Sequence, residues 1–173
     1  MIYNILDSDP TLAAQAHCDQ DVITNIFLIT QDLSCIHWER NSYFRHRLLH
    51  SDKYSSDEQF LLTTQKYQWA ALLLKELLHQ YEIRYLRSHQ YTNIINLLQK
   101  SPPRLSSRTT KFLLAVPNKY KTSDPVLSYR AYYQNTRKAS RWKRGVEPPE
   151  WWHIDQLELI NHFRYKNIEA ELN

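Results

Sequence analysis

Residues 61–81 read LLTTQKYQWAALLLKELLHQY, a stretch in which apolar side chains recur at the spacing of one helix face. The members of this stripe are Leu61, Leu62, Trp69, Leu72, Leu73, Leu77 and Tyr81. Such a period predicts an amphipathic helix that buries its apolar face. Ser55, followed three residues later by Glu58, matches the capping-box pattern of a helix start. We therefore predict a long helix over residues 56–88 and expect it to lie at the centre of the fold.

Helix signals recur along the rest of the chain. Asp9-Pro10 and Asp124-Pro125 each place an N-cap carboxylate before a proline at the first helical position, which predicts helices over residues 10–19 and 125–142. Further helices are predicted over residues 20–38, 91–100 and 151–173. The expected buried face of the helix over 20–38 consists of Val22, Ile23, Ile26, Phe27, Ile29, Thr30 and Leu33.

Composition narrows the fold class. Gly145 is the only glycine, which excludes a phosphate-binding glycine loop and a dinucleotide fingerprint and disfavours tight hairpins. Residues 2–6 are expected to form a short strand or an extended arm against the core. The predicted fold is mostly α: a single compact helical domain over residues 1–173, built around one long central helix, with a short extended N-terminal segment.

The cysteines and the hydropathy indicate a cytoplasmic protein. Cys18 and Cys35 are the only cysteines, and neither belongs to a zinc-type pair, so we expect two reduced thiols. No apolar run approaches the roughly 18 residues that a membrane span requires. We predict no membrane association, no metal and no cofactor.

Positive charge is concentrated in residues 104–144, called here the basic tract. It holds eleven Lys and Arg residues and one acidic residue, whereas the other 132 residues hold eleven basic and seventeen acidic ones. The tract also contains Phe112, Tyr120, Tyr129, Tyr132, Tyr133 and Trp142. Positive charge attracts phosphates and aromatic faces stack on unpaired bases, so the tract predicts binding to DNA or RNA. An acidic protein partner would satisfy the same charge.

Within the predicted helix over 125–142, the cations are expected to share one broad face. The candidate nucleic-acid-binding residues are Arg130, Arg137, Lys138, Arg141, Trp142, Lys143 and Arg144. Trp142 or Tyr133 is the candidate for stacking on a base. The alternative is a solvated basic face over an aromatic core.

Two smaller clusters are candidates for chemistry. His17, Asp19 and Asp21 combine an imidazole with carboxylates, a usable acid–base set, although helix capping would explain the same residues. Near the end of the long helix lie Tyr81, Arg84, Tyr85 and His89. These four could line a pocket or grip a phosphate, and the alternative is an amphipathic helix end whose cations oppose the helix dipole.

Several motifs together resemble a family of small bacteriophage-encoded proteins described as uncharacterised or as pyrimidine-dimer DNA glycosylase-like. They are LDSDP at 6–10, HCD at 17–19, YQW at 67–69, VPNKY at 116–120, DPV at 124–126 and PEWW at 149–152. The resemblance covers about residues 1–152. It implies a compact helical protein that binds DNA, flips a base and attacks C1′ of the sugar with an amine, assisted by a carboxylate. By this resemblance Asp19 or Asp21 is the carboxylate, with His17 beside it.

One motif departs from that family. Where the family pattern continues His-Cys-Asp-Lys-His-Val-Val-Lys, residues 17–24 read HCDQDVIT, so two lysines and one histidine are missing. This departure predicts a retained fold with a degenerate catalytic site. Three hypotheses follow: a phage-type nucleic-acid-binding protein related to these enzymes, a non-enzymatic assembly or anti-defence factor that docks on an acidic partner, and an active base-excision enzyme.

Overall fold

The computed structural model describes residues 3–40, 42–49, 63–101, 104–108, 112 and 114–161. Over these residues the protein is mostly helical, as predicted, and its only β-type pairing is a single bridge between Thr63 and Ser106. The predicted capping box at Ser55 and Glu58, the first part of the predicted long helix and residues 162–173 lie outside the described residues.

Five α-helices lie wholly within the described residues, and short 3₁₀-helices lie between them. The α-helices are α1 (Pro10–Ala16), α2 (Asp19–Glu39), α3 (Thr64–Tyr85), α4 (Ile95–Leu98) and α5 (Pro125–Thr136). The 3₁₀ turns span Arg45–Arg47, Gln90–Ile94, Asn118–Tyr120 and Glu150–His153. Residues 156–161 are also helical, so the predicted C-terminal helix begins later than residue 151.

Two helices of nearly equal length, α2 with 21 residues and α3 with 22, share the centre of the fold. They run antiparallel, because Asp19 at the start of α2 pairs with Arg84 near the end of α3, while His37 near the end of α2 contacts Tyr67 near the start of α3. A single central helix is therefore not confirmed. The predicted continuous helix over residues 56–88 is wrong, because α3 begins at Thr64, where Thr63 caps it in an extended conformation, and ends at Tyr85. It ends there because Leu86 adopts a left-handed backbone with φ of 53° and caps the helix.

The N-terminal segment is an extended arm packed on the core. Tyr3, Ile5 and Leu6 are buried and non-helical, in agreement with the prediction. The Tyr3 hydroxyl donates a hydrogen bond to Asp32 of α2, and burial together with that carboxylate raises the pKa of Tyr3. Trp69 of α3 donates its indole N–H to the Ser8 carbonyl, at 2.8 Å, so the arm is attached to both central helices.

The prediction for α5 is right at its start and wrong at its end. Asp124 accepts a hydrogen bond from the Val126 N–H and caps the helix as expected. The helix stops at Thr136 rather than at residue 142, and the Arg137 N–H closes the last turn on the Tyr133 carbonyl. The chain then crosses the start of α2. Arg130 consequently does not share a helix face with the cations of residues 137–144.

The segment predicted as a helix over 91–100 is realised as a 3₁₀ turn, Gln90–Ile94, followed by α4, Ile95–Leu98. Its position depends on Tyr67, whose hydroxyl donates to the Leu98 carbonyl at 2.7 Å. Because that bond uses the only phenolic proton, the contact of 2.7 Å with His37 Nε2 is one in which the imidazole donates. Tyr67 thus joins α2, α3 and α4.

We predict that Tyr67→Phe lowers the free energy of unfolding by about 1–3 kcal/mol, because it leaves the His37 N–H and the Leu98 carbonyl buried without a partner. Urea denaturation followed by circular dichroism measures the change. Tyr43→Phe is the matched control, because Tyr43 is 92% exposed and loss of its hydroxyl should leave the free energy of unfolding unchanged. Equal stabilities for the two variants would contradict the prediction.

Candidate functional site

The junction between α1 and α2 is built around His17, which is fully buried. Its Nδ1 donates to the Ala13 carbonyl at 2.6 Å, and its backbone N–H bonds the Ala14 carbonyl. His17 therefore closes the C-terminal end of α1, which stops at Ala16 instead of Asp19. Burial lowers the pKa of His17 to about 4, so the imidazole is neutral at pH 7 and its buried Nε2 has no partner among the described residues.

Arg84 lies directly beneath this junction and is fully buried. Its Nη1 donates to the His17 carbonyl at 2.7 Å and to Asp19 Oδ1 at 3.3 Å. Its Nη2 donates to the Gln15 carbonyl at 3.2 Å and to Gln80 Oε1 at 3.0 Å. Burial lowers the pKa of Arg84 while Asp19 opposes that shift. All four bonds are internal, so Arg84 is a structural cation and is not placed to grip an external phosphate.

Asp21 forms a second ion pair, with Arg137. The guanidinium is bidentate, with Nε 2.9 Å from Oδ2 and Nη2 3.2 Å from Oδ1. The Tyr133 hydroxyl also bonds the carboxylate and accepts the Cys18 N–H at 2.9 Å. Burial opposes ionisation, but Arg137 and Tyr133 outweigh it and hold the pKa of Asp21 below its usual value. Asp21 thus anchors the chain that follows α5.

That following chain, the 137–144 segment, caps the start of α2. The Asp19 N–H donates to the Arg141 carbonyl at 3.0 Å, which satisfies one of the N–H groups that a helix start leaves free. Trp142 turns inward and packs edge-on against Trp152, with ring centroids 5.0 Å apart. Tyr133 is fully buried. Tyr133 is therefore closed to a ligand, whereas Trp142 is partly buried.

An open cavity of about 570 Å³, called here the α2 cavity, lies between the start of α2, the end of α3 and the 137–144 segment. Its volume falls within the range typical of small-ligand sites. It brings together five of the predicted residues from all three candidate groups: Asp19, Tyr85, Arg137, Arg141 and Lys143. Sequence reasoning had no means of joining them, because they are separated by up to 124 positions along the chain.

Some of the charged residues at the α2 cavity form ion pairs, and others form none with any described residue. Asp19 is paired with Arg84, and Asp21 with Arg137. Arg141 and Lys143 are exposed and form no ion pair with any described residue. Among the described residues, therefore, two positive charges on the wall formed by the 137–144 segment have no ion-pair partner.

The aromatic side of the cavity is formed by Tyr85. Its ring stacks on Tyr81 at a centroid distance of 4.7 Å, and Tyr81 in turn meets His89 edge-on at 4.9 Å. Tyr81 is buried, and His89 caps the next turn by accepting the Tyr91 N–H. Of the four residues predicted to form a pocket, only Tyr85 lines this one.

Other predicted residues lie elsewhere. Arg130 pairs with Asp7 at 2.9 Å, donates to the Leu6 carbonyl at 2.7 Å and lies over the Trp151 ring at 5.2 Å, in a separate cavity. Lys138 lines a third depression, beside Gln134. Arg144 is exposed in a left-handed turn with Gly145, where φ is 55° and 75° respectively. The predicted set is thus split over several surfaces.

The sequence did not predict that Gln20 and Ile23 line the cavity, nor that Ile23 and Phe27 are exposed. Gln20 and Ile23 line it from α2, and Ile23 is 40% exposed although the periodicity placed it in the core. Phe27, also expected to be buried, is 51% exposed. The apolar face of α2 is wider than the surface that α3 covers. Periodicity in the sequence does not show which edge of that face stays exposed to solvent.

The catalytic hypothesis required His17 and Asp19 to converge with Arg84 or His89 in one cleft. Asp19 lines the α2 cavity, but His17, Arg84 and His89 do not. Nor do the described residues bring three His, Cys, Asp or Glu side chains together as a metal site would require.

Comparison with protein-family models, with curated proteins and with solved structures finds no match to this chain. Among the helices described, none is long and apolar enough to cross a membrane. The function is therefore inferred from the residues and geometry of the α2 cavity.

We predict that the protein loses stability as the pH falls from about 6.5 to 5. Burial lowers the pKa of both His17 and His37 to about 4, below the unfolded value of about 6.5, so the unfolded chain binds protons that the native protein does not. Each histidine should contribute a slope of up to ~1.4 kcal/mol per pH unit. Chemical denaturation at several pH values measures this slope.

His37→Gln should reduce that slope by up to ~1.4 kcal/mol per pH unit, because it removes one of the histidines whose pKa is lowered by burial. His79→Gln is the control, since His79 is exposed and should leave the slope unchanged. An NMR titration provides a check that needs no variant. Protonation of the His17 ring near pH 6.5 in the folded protein would contradict the prediction.

Proposed function

We propose that this protein binds nucleic acid at the α2 cavity and that it is a phage-type relative of the glycosylase-like proteins whose catalytic group is not retained. The observation that carries the proposal is the convergence of Arg141, Lys143 and the Tyr85 ring on one open cavity. Cations for phosphates beside an aromatic face for bases are the two elements of single-strand recognition.

The charge balance supports an anionic ligand. Both carboxylates at the start of α2 are already neutralised by internal arginines, so the cations of the 137–144 segment remain available. The start of a long helix adds partial positive charge from its aligned peptide dipoles. The backbone of this segment is fixed by the Arg141 carbonyl on α2, so its side chains project from a held position.

The state of His17 supports binding without catalysis. A general acid or base must reach its substrate, whereas His17 is buried, neutral and engaged in capping α1. Two lysines of the resembling family motif are replaced by Gln20 and Thr24. We expect the protein to act in the host cytoplasm, where Cys18 and Cys35 remain free thiols.

One observation favours a second candidate, an active base-excision enzyme. Lys143 and Asp19 line the same cavity, which offers an amine and a carboxylate. In that chemistry the amine attacks C1′ and loses a proton, while the base departs with the electrons of the glycosidic bond and takes up a proton. The C1′–O4′ bond of the sugar then opens with protonation of O4′, and the resulting iminium can be reduced by borohydride. Covalent trapping on damaged DNA that is abolished by Lys143→Ala would support this candidate. Trapping that is unchanged in the variant would exclude Lys143 as the nucleophile.

We predict that Arg141→Glu with Lys143→Glu lowers affinity for labelled DNA or RNA by roughly tenfold or more and reduces the slope of log affinity against log salt by about two. Fluorescence anisotropy across a salt series measures both quantities. Arg137 is left intact because reversing its charge would put a second anion against buried Asp21 and destabilise the fold.

The control is Lys75→Glu with Arg47→Glu, which gives the same net charge through two exposed residues outside the cavity. It should change affinity and slope much less. Equal effects of the two double variants would show that overall charge, and not this cavity, governs binding. No binding even at low salt would overturn the proposal and favour an acidic protein partner.

A further inference from the structure

An exposed apolar edge on α2 continues outward from the α2 cavity. Ile23 lines the cavity at 40% exposure, and Phe27 follows one turn later at 51% exposure. Positions four apart lie on the same helix face, so the two side chains are neighbours on the surface. Together with Tyr85 they form the α2 strip. Gln20, which also lines the cavity, lies on the same face and adds a side-chain amide.

The α2 strip differs from the isolated apolar residues that are common on protein surfaces, because its exposed side chains lie next to one another. An aromatic ring half exposed on a regular helix leaves apolar area in water that the core could have covered. Here the ring lies one helical turn beyond Ile23, which shares the α2 cavity with two cations, Arg141 and Lys143, that form no ion pair with any described residue. A ligand that covers both the Phe27 ring and the cationic wall must carry flat apolar groups that alternate with anionic groups.

We propose that the α2 strip contacts the unpaired bases of a single-stranded nucleic acid whose phosphates contact Arg141 and Lys143. The inference rests on the proposed function and adds the substrate class, single strand in preference to duplex. A duplex keeps its bases stacked and paired inside, so it can offer phosphates to the cations but no base face to Phe27. Charge complementarity with the 137–144 segment favours this occupant over an apolar protein helix, which would leave the two cations without partners.

The geometry also separates two roles along α2. Tyr85 and Ile23 lie at the cavity, where one base would be enclosed, and Phe27 lies about 6 Å further along the helix axis, at the rise expected for four residues. A neighbouring nucleotide can therefore reach Phe27 while its phosphate remains near the cationic wall. Removal of the Phe27 ring should consequently affect base contacts and leave phosphate contacts in place.

The test compares Phe27→Ala with the unaltered protein on three ligands of equal length: oligo(dT), an oligonucleotide of abasic sugar-phosphate and a DNA duplex. Loss of stacking at one base should weaken oligo(dT) binding by roughly 5- to 100-fold. Binding to the abasic strand and to the duplex should stay within about twofold. Phe27→Trp should restore oligo(dT) binding, and Leu72→Ala, at a residue 45% exposed on α3, should have no effect. An oligo(U) arm distinguishes RNA from DNA.

The outcomes distinguish this inference from the proposed function. If Phe27→Ala weakens all three ligands equally, or none of them, the α2 strip does not contact bases and the inference fails, even though the salt-dependent effect of Arg141 and Lys143 persists. If the Arg141 and Lys143 double variant binds as well as the unaltered protein, the proposed function itself fails. Capture of an apolar peptide at Phe27 with no loss of oligo(dT) binding would assign the strip to a protein partner and overturn the inference.

Discussion

The buried guanidinium of Arg84 is the interaction on which the rest of this structure depends. It joins α3 to the last carbonyls of α1 and to the first carboxylate of α2, and so fixes the sharp junction between those two helices. Removing such a charge from water costs several kcal/mol, and the cost is offset only when an opposite charge and well-placed acceptors surround it. Asp19 supplies the charge, while Gln15, His17 and Gln80 supply acceptors. The junction in turn sets the position of one wall of the α2 cavity.

A second ion pair, between Asp21 and Arg137, sets the opposite wall. It holds the chain that leaves α5 across the start of α2, where the Arg141 carbonyl completes the capping of that helix. The cations of the basic tract therefore fall into two classes. Arg137 and Arg130 are engaged in ion pairs that stabilise the fold, whereas Arg141 and Lys143 line the cavity without an ion pair to any described residue. Net charge along the sequence identifies the surface but cannot separate these classes.

The sequence predicted correctly those features that depend only on residues close together in the chain. The Asp-Pro starts of α1 and α5 and the extended N-terminal arm depend on neighbouring residues, and the structure agrees with them. The predicted stripe of α3 is right in part, because most of its described members are buried whereas Leu72 is 45% exposed. The errors concern long-range partners. Helix α5 ends early because Arg137 and Arg141 find partners on α2, Arg84 is buried because α1 offers it carbonyls, and Phe27 is exposed because α3 covers only part of the α2 stripe. His17 caps the end of α1, because its ring and its backbone N–H both bond carbonyls of that helix.

Two residues of the motif at 17–24, Gln20 and Asp21, support the wall of the α2 cavity. Where the resembling family pattern has lysine and then histidine, this chain has Gln20 and Asp21. Asp21 is the carboxylate that anchors Arg137, and Gln20 lines the cavity that this anchoring creates. A histidine at position 21 would be a poor partner for a guanidinium, and a lysine at position 20 would add charge but no ion pair to hold the 137–144 segment. Gln20 and Asp21 thus support the wall that carries Arg141 and Lys143, and the anionic-strand binding that we propose depends on that support.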